Sequence, residues 1–423
     1  MKFKKICVVG LGYIGLPTAT IIASRKHHVV GLDVNPKAVE SINNGQSHIV
    51  EPELDEMLHA AVSDGYLTAI SAAKPADAFL IAVPTPFKND HEPDISYIEA
   101  AVKAIAPVLQ PGNLVVLEST SPVGTTQKIS EWLADERPDM TFPHICGSNS
   151  DIRISHCPER VLPGKILREL VSNDRVIGGL TPQCSELSKE LYEIFVEGNF
   201  VCTDARTAEM CKLAENSFRD VNIAFANELS LICDKLGIEV WELIELANLH
   251  PRVNILQPGP GVGGHCIAVD PWFIIHSAPE EAKLIKQARL VNDGKPDWVV
   301  DKVDAAAELL RSRDAMTTVR VACLGLAFKP NIDDLRESPA VDICEVLSRN
   351  NALEVLAVEP HIEKLPKSLD QAAKLTSAKQ AIAQADIVLL LVDHSAFKDI
   401  PLESLSGKQI IDVRGFWSGK TPV

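Results

Sequence analysis

The stretch "KICVVGLGYIGLP", residues 5–17, decides the fold of the first part of this chain. The apolar run 5–9 predicts a short buried strand, and residues 15–26 predict a helix. Gly10, Gly12 and Gly15 form a GxGxxG pattern at the turn between them. A second strand is predicted in "HHVVGLDV", which ends near Asp33. Strand, glycine turn, helix and strand together predict a parallel α/β unit.

The same residues predict a dinucleotide site. Glycines let the backbone approach a pyrophosphate, and the N-terminus of the helix favours its charge. Asp33, about 20 residues after the glycines, can bind the ribose hydroxyls and would repel a ribose phosphate, so NAD is expected rather than NADP. A glycine-rich turn without a ligand is the alternative.

The alternation of short apolar runs and helical segments continues along the chain, at 77–86 and 113–125. From Asp204 the pattern changes to a long helix that runs without Pro or Gly until Gly237, with Asp204 as its cap and a plausible dimer surface along it. A second α/β unit begins at 319–340, followed by a helix near 339–349. We expect two Rossmann-like doubly wound parallel-sheet domains joined by a long central helix. The expected domains are 1–200, 201–300 and 315–423.

Composition narrows the class of protein. The 423 residues are 46% hydrophobic and carry a formal net charge of -16, which disfavours a surface for nucleic acid or anionic membrane. The ten cysteines show no CxxC pair and no Cys/His metal spacing, so we expect no metal and reduced thiols in the cytoplasm. The basic, apolar opening superficially resembles a signal peptide, but its glycines fit the strand and turn instead.

"GPGVGGHCIAVDP", residues 259–271, places Cys266 among glycines rather than in an apolar run. A free cysteine is usually a small buried residue. In this loop a thiolate could act as a nucleophile, and Asp270 could orient water or relay a proton.

Lys212, Asn216 and Arg219 lie at i, i+4 and i+7 of the long helix and therefore along one face. They form either a solvated polar stripe or a row of donors facing a ligand, with Lys212 as an acid/base or oxyanion partner. An anionic ligand would also need a cationic cluster. Its candidates are Arg160, Lys212, Arg219, Arg252, Lys329 and Arg336.

Six segments together resemble the UDP-sugar 6-dehydrogenase family, also called the UDP-glucose/GDP-mannose dehydrogenase family. They are "GLGYIGLP", "STSPVGT", "CPERVLPG", "KLAENSFRDVNIAFANE", "GPGVGGHC" and "GLAFKPNIDDLRESPA", in the family's order. The resemblance covers nearly the whole chain. It implies an N-terminal NAD domain, a central helix that forms a homodimer, and a C-terminal UDP-binding domain.

The resemblance also implies a reaction. A primary alcohol on the sugar gives one hydride to NAD, and Cys266 captures the aldehyde as a thiohemiacetal. A second hydride transfer gives a thioester, which is hydrolysed to a uronic acid. A hydroxyacid dehydrogenase that makes a single oxidation would need no such cysteine and is the alternative.

By the same resemblance, residues acquire roles. The expected catalytic residues are Cys266, Lys212, Asp270, Asn216, Glu159 and Thr120. The expected NAD contacts are Gly10, Gly12, Tyr13, Ile14, Gly15, Asp33, Thr85, Thr126 and Arg336. The expected substrate contacts are Arg160, Val161, Lys212, Asn216, Arg219, His250, Arg252, Gly263, Phe328 and Lys329, with Arg252 reaching across the dimer.

"GGHCIAVDP" and "CPERVLPG" differ from the UDP-glucose branch of the family. That branch has a lysine just before the aspartate of the cysteine loop, and an aromatic-rich segment that ends in Glu-Gly in place of "CPERVLPG". The segments resemble the branch that acts on N-acetylated hexosamines. The expected substrate is UDP-N-acetyl-D-mannosamine, for bacterial surface polysaccharide, with UDP-GlcNAc and UDP-GalNAc open because epimers differ in one hydroxyl.

Overall fold

A computed structural model describes residues 2–49, 51–162, 164–264, 266–314 and 318–417. The chain divides into two compact units. Unit 1 comprises the chain up to Glu215 together with Trp272–Ala278, and unit 2 comprises Asn216–Pro271 and the chain from Pro279 onward.

The sheet of unit 1 has eight strands in the order β3-β2-β1-β4-β5-β6-β7-β8. In chain order the strands are β1 Lys5–Val9, β2 His28–Leu32, β3 Leu67–Ile70, β4 Ala78–Ile81, β5 Leu114–Leu117, β6 Arg153–His156, β7 Arg175–Gly179 and β8 Phe200–Asp204. Ile6 and Val8 enter one apolar core, whereas Cys7 and Val9 enter the core on the opposite face. Both faces of the sheet are therefore covered, as a parallel sheet requires.

One pair of strands in this sheet departs from the expected parallel arrangement. β7 is antiparallel to β6, while β8 is again parallel to β7. In the described part of the connection between β6 and β7, the α-helix is the seven-residue α7, Ile166–Ser172. After it the chain re-enters the sheet from the edge at which it left β6, which makes the two strands antiparallel.

The other helices of unit 1 surround the sheet. They are α1 Gly15–Ser24, α2 Pro36–Asn43, α3 Leu54–Ser63, α4 Ser96–Ile105, α5 Thr125–Glu136, α6 Pro143–Cys146, α8 Pro182–Tyr192 and, after Asp270 and Pro271, most of α11 Asp270–Ser277. The predicted strand 5–9 is confirmed, and the predicted helix 15–26 is confirmed with an end two residues earlier, at Ser24.

The predicted long helix is α9, Ala205–Leu236, with 32 residues. The Asp204 carboxylate accepts a hydrogen bond from the Thr207 amide at 3.0 Å, so its predicted role as the cap is confirmed. The chain passes from unit 1 to unit 2 within this helix. In the described ranges, no helix is both long enough and apolar enough to cross a membrane.

Unit 2 contains a sheet of five parallel strands in the order β11-β10-β9-β12-β13. The strands are β9 Val319–Leu324, β10 Leu353–Val358, β11 Lys374–Leu375, β12 Ile387–Leu390 and β13 Gln409–Asp412. The helices are α10 Val240–Ala247, α12 Lys283–Asp293, α13 Lys295–Asp314, α14 Pro339–Ser348 and α15 Ala378–Gln384. The predicted second α/β unit is confirmed, and so is the fold class.

Candidate functional site

The glycine turn after β1 has a separate reason for each glycine. Gly10 has φ +87°, and a Cβ there would lie 2.7 Å from the Ala82 carbonyl oxygen. A Cβ on Gly15 would lie 1.8 Å from the Gly10 oxygen, so this glycine lets the helix pack on the turn. A Cβ on Gly12 would meet no atom within 4 Å in the described part of the chain. The side of the turn at Gly12 is thus open to a ligand.

The carboxylate expected to bind the ribose lies beside this turn. Asp33 is half-buried, and its Oδ2 accepts the Leu11 amide at 2.8 Å while its Oδ1 accepts the Asn35 amide at 2.8 Å. Tyr13 is 39% exposed and Ile14 is half-buried, directly ahead of α1. An open glycine, a helix N-terminus and an acceptor at the second strand fit a dinucleotide.

The predicted threonines fall into two groups. The Thr85 hydroxyl donates to the Thr120 carbonyl at 2.8 Å, so these two lie together. Thr126 is fully buried, and its hydroxyl and amide donate to Glu209 of α9 at 2.6 and 2.7 Å. The Gly124 amide donates to the same carboxylate at 2.6 Å. Glu209 therefore caps α5, and the NAD contact of Thr126 stays a prediction.

Glu159 belongs to a buried ionic cluster at the carboxyl end of the sheet. Arg175 of β7 pairs with it, and both side chains are almost fully buried. Arg175 also donates to the Leu170 carbonyl at 2.8 Å. Burial raises the pKa of nearby Glu118 to about 8, and the charge of Glu159 adds to this shift. The Tyr192 hydroxyl donates to Glu118 at 2.7 Å.

Arg175 and Glu118 are absent from the sequence prediction. The available signal was a charge at the edge of an apolar run, as in "DRVIGG" and "VVLES". Buried charges need partners, so each such residue implies an unseen counterpart. The sequence does not say which residue that counterpart is.

Lys212 and Arg160 lie at half-buried positions of unit 1. Arg160 pairs with Glu215, and it also donates to the Cys211 sulfur at 3.4 Å. Burial lowers the pKa of His156 to about 3, and the charge of Lys212 works in the same direction. His156 is thus neutral near a cation. Val161 is half-buried against the apolar core.

Three predicted catalytic residues meet in unit 2. Cys266 is exposed, and its carbonyl accepts the Val269 amide at 3.1 Å and the Asp270 amide at 2.9 Å. This turn leads directly into α11. Asp270 is 3% exposed, and the side-chain amide of Asn216 donates to its carboxylate. Cys266 therefore lies one turn before Asp270, whose buried carboxylate is held by an amide of α9.

The same loop packs closely on the segment after β9. A Cβ on Gly263 would lie 2.3 Å from the Glu337 carbonyl oxygen and 3.0 Å from Cβ of Phe328. The Gly264 amide donates to that carbonyl at 3.3 Å, with Gly264 at φ +82°. Gly263 and Phe328 are therefore in contact, and a side chain at Gly263 is sterically excluded. Their role as substrate contacts stays a prediction.

The predicted cationic residues of unit 2 differ in exposure and in bonding. Arg219, His250 and Arg252 are exposed, and Lys329 is half-buried. Arg336 makes two hydrogen bonds to the Asp334 carboxylate, at 2.8 and 2.6 Å. The roles of these residues stay predictions.

Arg414 was missed by the sequence prediction. It follows β13 and donates to Asp393 at 2.9 Å and to the Pro258 carbonyl at 3.3 Å. It helps to line a cavity at the carboxyl edge of the second sheet. Other residues of this lining are Gly261, Phe328, Pro339, Val392 and Asp393. Its place after a strand was the usable signal, because open α/β sheets bind ligands at that edge.

Glu359, His361 and His394 form a cluster with the residue types of a metal site. The Nδ1 of His394 accepts the Asn331 amide at 3.0 Å, so the ring proton lies on Nε2 and points at Glu359, 2.9 Å away. Both ring nitrogens of His394 are thereby engaged within the protein. This arrangement favours a structural hydrogen-bond network over metal ligation.

Three domain models of one protein family match the chain. Residues 4–196 match the NAD binding domain of the UDP-glucose/GDP-mannose dehydrogenase family, 206–294 its central domain and 322–419 its UDP binding domain.

Individual relatives agree with these matches. An NDP-N-acetyl-D-galactosaminuronic acid dehydrogenase from Ralstonia nicotianae is 62% identical over 420 residues, covering 99% of this chain and 98% of the relative. A UDP-N-acetyl-D-mannosamine dehydrogenase from Yersinia pestis is 61% identical over 419 residues, covering 99% and 100%.

A solved structure of a UDP-D-ManNAc dehydrogenase from Pyrococcus horikoshii has a TM-score of 0.89 and 38% identity, covering 99% of this chain and 97% of that one. The fold, the glycine turn beside Asp33 and these matches lead to one conclusion. The chain belongs to the UDP-glucose/GDP-mannose dehydrogenase family and is an NAD-dependent oxidoreductase.

Proposed function

We propose that this chain oxidises UDP-N-acetyl-D-mannosamine twice at C6 and releases the corresponding uronate, through a covalent intermediate on Cys266. The observation that carries the proposal is the arrangement of Cys266, Asp270 and Asn216. The exposed Cys266 lies one turn before Asp270, whose buried carboxylate an amide side chain holds. An inert structural cysteine is normally buried among apolar side chains, and Cys266 is not.

The reaction needs a hydride acceptor and a nucleophile. NAD bound at the glycine turn would supply the hydride acceptor, with a separate NAD molecule for each of the two oxidations at C6. The first oxidation converts the alcohol into an aldehyde, and the Cys266 thiolate adds to its carbonyl carbon, forming a C–S bond. The resulting thiohemiacetal loses a second hydride and its hydroxyl proton to become a thioester. Water then cleaves the C–S bond, which releases the carboxylate and restores the thiolate.

Other side chains assist this sequence. Lys212 supplies or removes the proton on the C6 oxygen and stabilises its negative charge. Asn216 and Asp270 assist the attacking water and the oxyanion. The hydrogen bond between these two side chains holds them in place for this role. Thr120 and Glu159 flank the reacting carbon. The Arg175 guanidinium keeps Glu159 paired inside the protein.

The sugar is the least determined part of the substrate. The Yersinia pestis relative is named for UDP-N-acetyl-D-mannosamine, and the Ralstonia relative is named for an N-acetyl-D-galactosaminuronic acid, at nearly the same identity. UDP-N-acetyl-D-galactosamine is therefore the second candidate. Either uronate would serve bacterial surface polysaccharide, made in the cytoplasm.

We also propose a homodimer. Phe218, Phe225 and Ile232 recur every seven residues on α9 and are 70%, 51% and 46% exposed. Exposed large apolar residues in a row favour a protein partner. A second copy of the same helix is the partner that the family resemblance suggests, with Arg252 reaching the neighbouring site.

The test is a product assay with NAD and each of three UDP-N-acetylhexosamines: the manno, galacto and gluco epimers. We expect two NADH per uronate, with the manno epimer preferred. Cys266→Ala should abolish uronate formation, while Cys202→Ala, at another exposed cysteine, should leave it unchanged. Full uronate production by Cys266→Ala would refute the covalent route, and preference for the galacto epimer would replace the proposed substrate.

A further inference from the structure

A chain of buried polar side chains leads from α12 through α9 to the first residue of the Cys266 loop. Arg289 of α12 donates to Asp220 of α9, and both side chains are almost completely buried. Asn292 donates to the same carboxylate oxygen at 2.8 Å. Asn227 donates to the Asn292 oxygen at 2.9 Å, and its own oxygen accepts the Gly259 amide at 2.9 Å.

The direction of every bond in this chain follows from its first member. A guanidinium only donates and a carboxylate only accepts, so the nitrogen of Asn292 must face Asp220. Its oxygen then faces Asn227, which must turn its nitrogen toward Asn292. The oxygen of Asn227 is thereby directed at the Gly259 amide. Reversing either amide would place two acceptors or two donors together.

Burial makes this order costly to break. Asn227 is 0% exposed and Asn292 is 1% exposed. Burial raises the pKa of Asp220, although Arg289 and Asn292 oppose the shift. Within such surroundings, an unpaired polar group carries its full desolvation cost. The oxygen at Asn227 is therefore held in one place.

The far end of the loop is held by the same helix. Asn216 binds Asp270, and Asn227 binds Gly259. These two asparagines are three turns apart, about 16 Å, and face nearly the same way around α9. The loop between Gly259 and Asp270 could span more than about 30 Å if extended. The two end anchors therefore act together with the Gly264–Glu337 hydrogen bond to limit the conformations that the glycines would otherwise allow.

We propose that Asn227 is a positioning residue for Cys266. Together with Asn292 it fixes the first residue of the glycine loop, as Asn216 fixes the last, and so limits where the thiol can lie. The inference rests on the proposed function of Cys266, but the anchoring itself concerns only residues of unit 2.

The test compares Asn227→Ala and Asn292→Ala with Asn350→Ala in the full-length enzyme. Asn350 is a matched control, because its oxygen also accepts a backbone amide, that of Ala352 at 3.0 Å, and its nitrogen donates to Asp304. Three quantities are measured: kcat and KM for NAD, amide hydrogen exchange of the 259–264 segment, and alkylation of Cys266 by iodoacetamide, followed by mass spectrometry of its peptide.

For Asn227→Ala we expect kcat to fall about tenfold while KM for NAD stays within about twofold, because one buried hydrogen bond to the loop is lost. Exchange at 259–264 should accelerate about tenfold, and Cys266 alkylation should change several-fold. Asn292→Ala should act in the same direction and more weakly. Asn350→Ala should lower the melting temperature without changing these three readouts.

Unchanged exchange and alkylation in Asn227→Ala and Asn292→Ala would overturn the proposal. So would an equal loss of kcat in Asn350→Ala at a similar fall in melting temperature. If Cys266→Ala kept full activity, the proposed function would fail instead. The exchange of the loop amides would still report whether Asn227 anchors Gly259.

Discussion

In both sheets a glycine follows the first strand and an acid follows the second, but the surroundings of the acid differ between the two units. In unit 1 Gly10 follows β1 with φ +87°, and its amide donates to the Leu32 carbonyl at 2.8 Å. In unit 2 Gly325 follows β9 with φ +90°, and its amide donates to the Val358 carbonyl at 2.8 Å.

An acidic residue follows the second strand in each case. Asp33 accepts the Leu11 amide at 2.8 Å, and Glu359 accepts the Leu326 amide at 2.8 Å. The remaining surroundings differ. Asp33 is half-buried, whereas Glu359 is 5% exposed and also accepts the Ala327 and His361 amides.

His394, in the segment that follows β12, adds a further difference by donating to Glu359. The helices differ as well, since α1 begins at Gly15, shortly after the turn, and α14 begins only at Pro339. The glycine and the acid are therefore structural features that both sheets share. In unit 1 the carboxylate of Asp33 is less buried than that of Glu359, and a helix N-terminus lies close to the glycine turn. These two features favour unit 1 over unit 2 as the dinucleotide-binding unit.

The largest expected effect comes from removing the two acids separately. Glu359→Ala leaves several buried donors without an acceptor, so we expect the free energy of unfolding to fall by about 3–5 kcal/mol. Asp33→Ala should cost about 1 kcal/mol or less, because water can reach its partners. Urea unfolding of both variants measures this. Equal losses would remove the distinction between a structural and a ligand-binding acid.

A smaller effect is expected on cofactor choice. Asp33→Ser should raise KM for NAD about tenfold and narrow the preference for NAD over NADP, because a charged acceptor for the ribose is lost. Glu359→Gln, which keeps an acceptor, serves as the control and should leave KM for NAD unchanged. Steady-state kinetics with both dinucleotides gives the answer. A constant NAD preference in Asp33→Ser would show that the ribose is recognised elsewhere.

The smallest expected effect is an opposite pH dependence of the free energy of unfolding from one buried group in each unit. Burial raises the pKa of Glu118 in unit 1 to about 8, so the folded state holds a proton that the unfolded state has lost, and stability falls from about pH 4.5 toward 8. Burial lowers the pKa of Lys295 in unit 2 to about 7, so stability rises from about pH 7 toward 10.5. Each slope is at most about 1.4 kcal/mol per pH unit.

Variants without these groups isolate the two slopes. Between pH 7 and 8, Glu118→Gln should make stability rise more steeply than in the parent, because the downward contribution is gone. Lys295→Met should make it rise less, or fall. Unfolding free energies from urea titrations at the two pH values test both signs. The same change in slope for both variants would contradict the assignment.

The sequence predicted the parts of the fold that depend on neighbouring residues. The turn at Gly10, the capping of α9 by Asp204 and the start of α14 at Pro339 all follow from local chemistry. Glu359 was not recognised as the counterpart of Asp33, because α14 begins too far from Gly325 for a GxGxxG pattern to appear.

The sequence predicted individual residues of the candidate site, but not the partners that hold them. Cys266, Asp270 and Asn216 were expected to act together, and the last two are hydrogen-bonded. The partners of buried groups, such as Arg175 for Glu159 and Asn227 for Gly259, were not expected. These pairs join distant segments, and a sequence shows that a buried charge or amide needs a partner without showing which one.

The capping of α5 by Glu209 has a consequence for small anions in the cell. Its carboxylate already satisfies the Gly124 and Thr126 amides, so inorganic phosphate or sulfate finds that helix end occupied by the protein's own charge. At the start of α1, by contrast, the N-cap residue Ile14 makes no side-chain capping hydrogen bond. A neutral residue at position 209 would leave the Gly124 and Thr126 amides open to such anions.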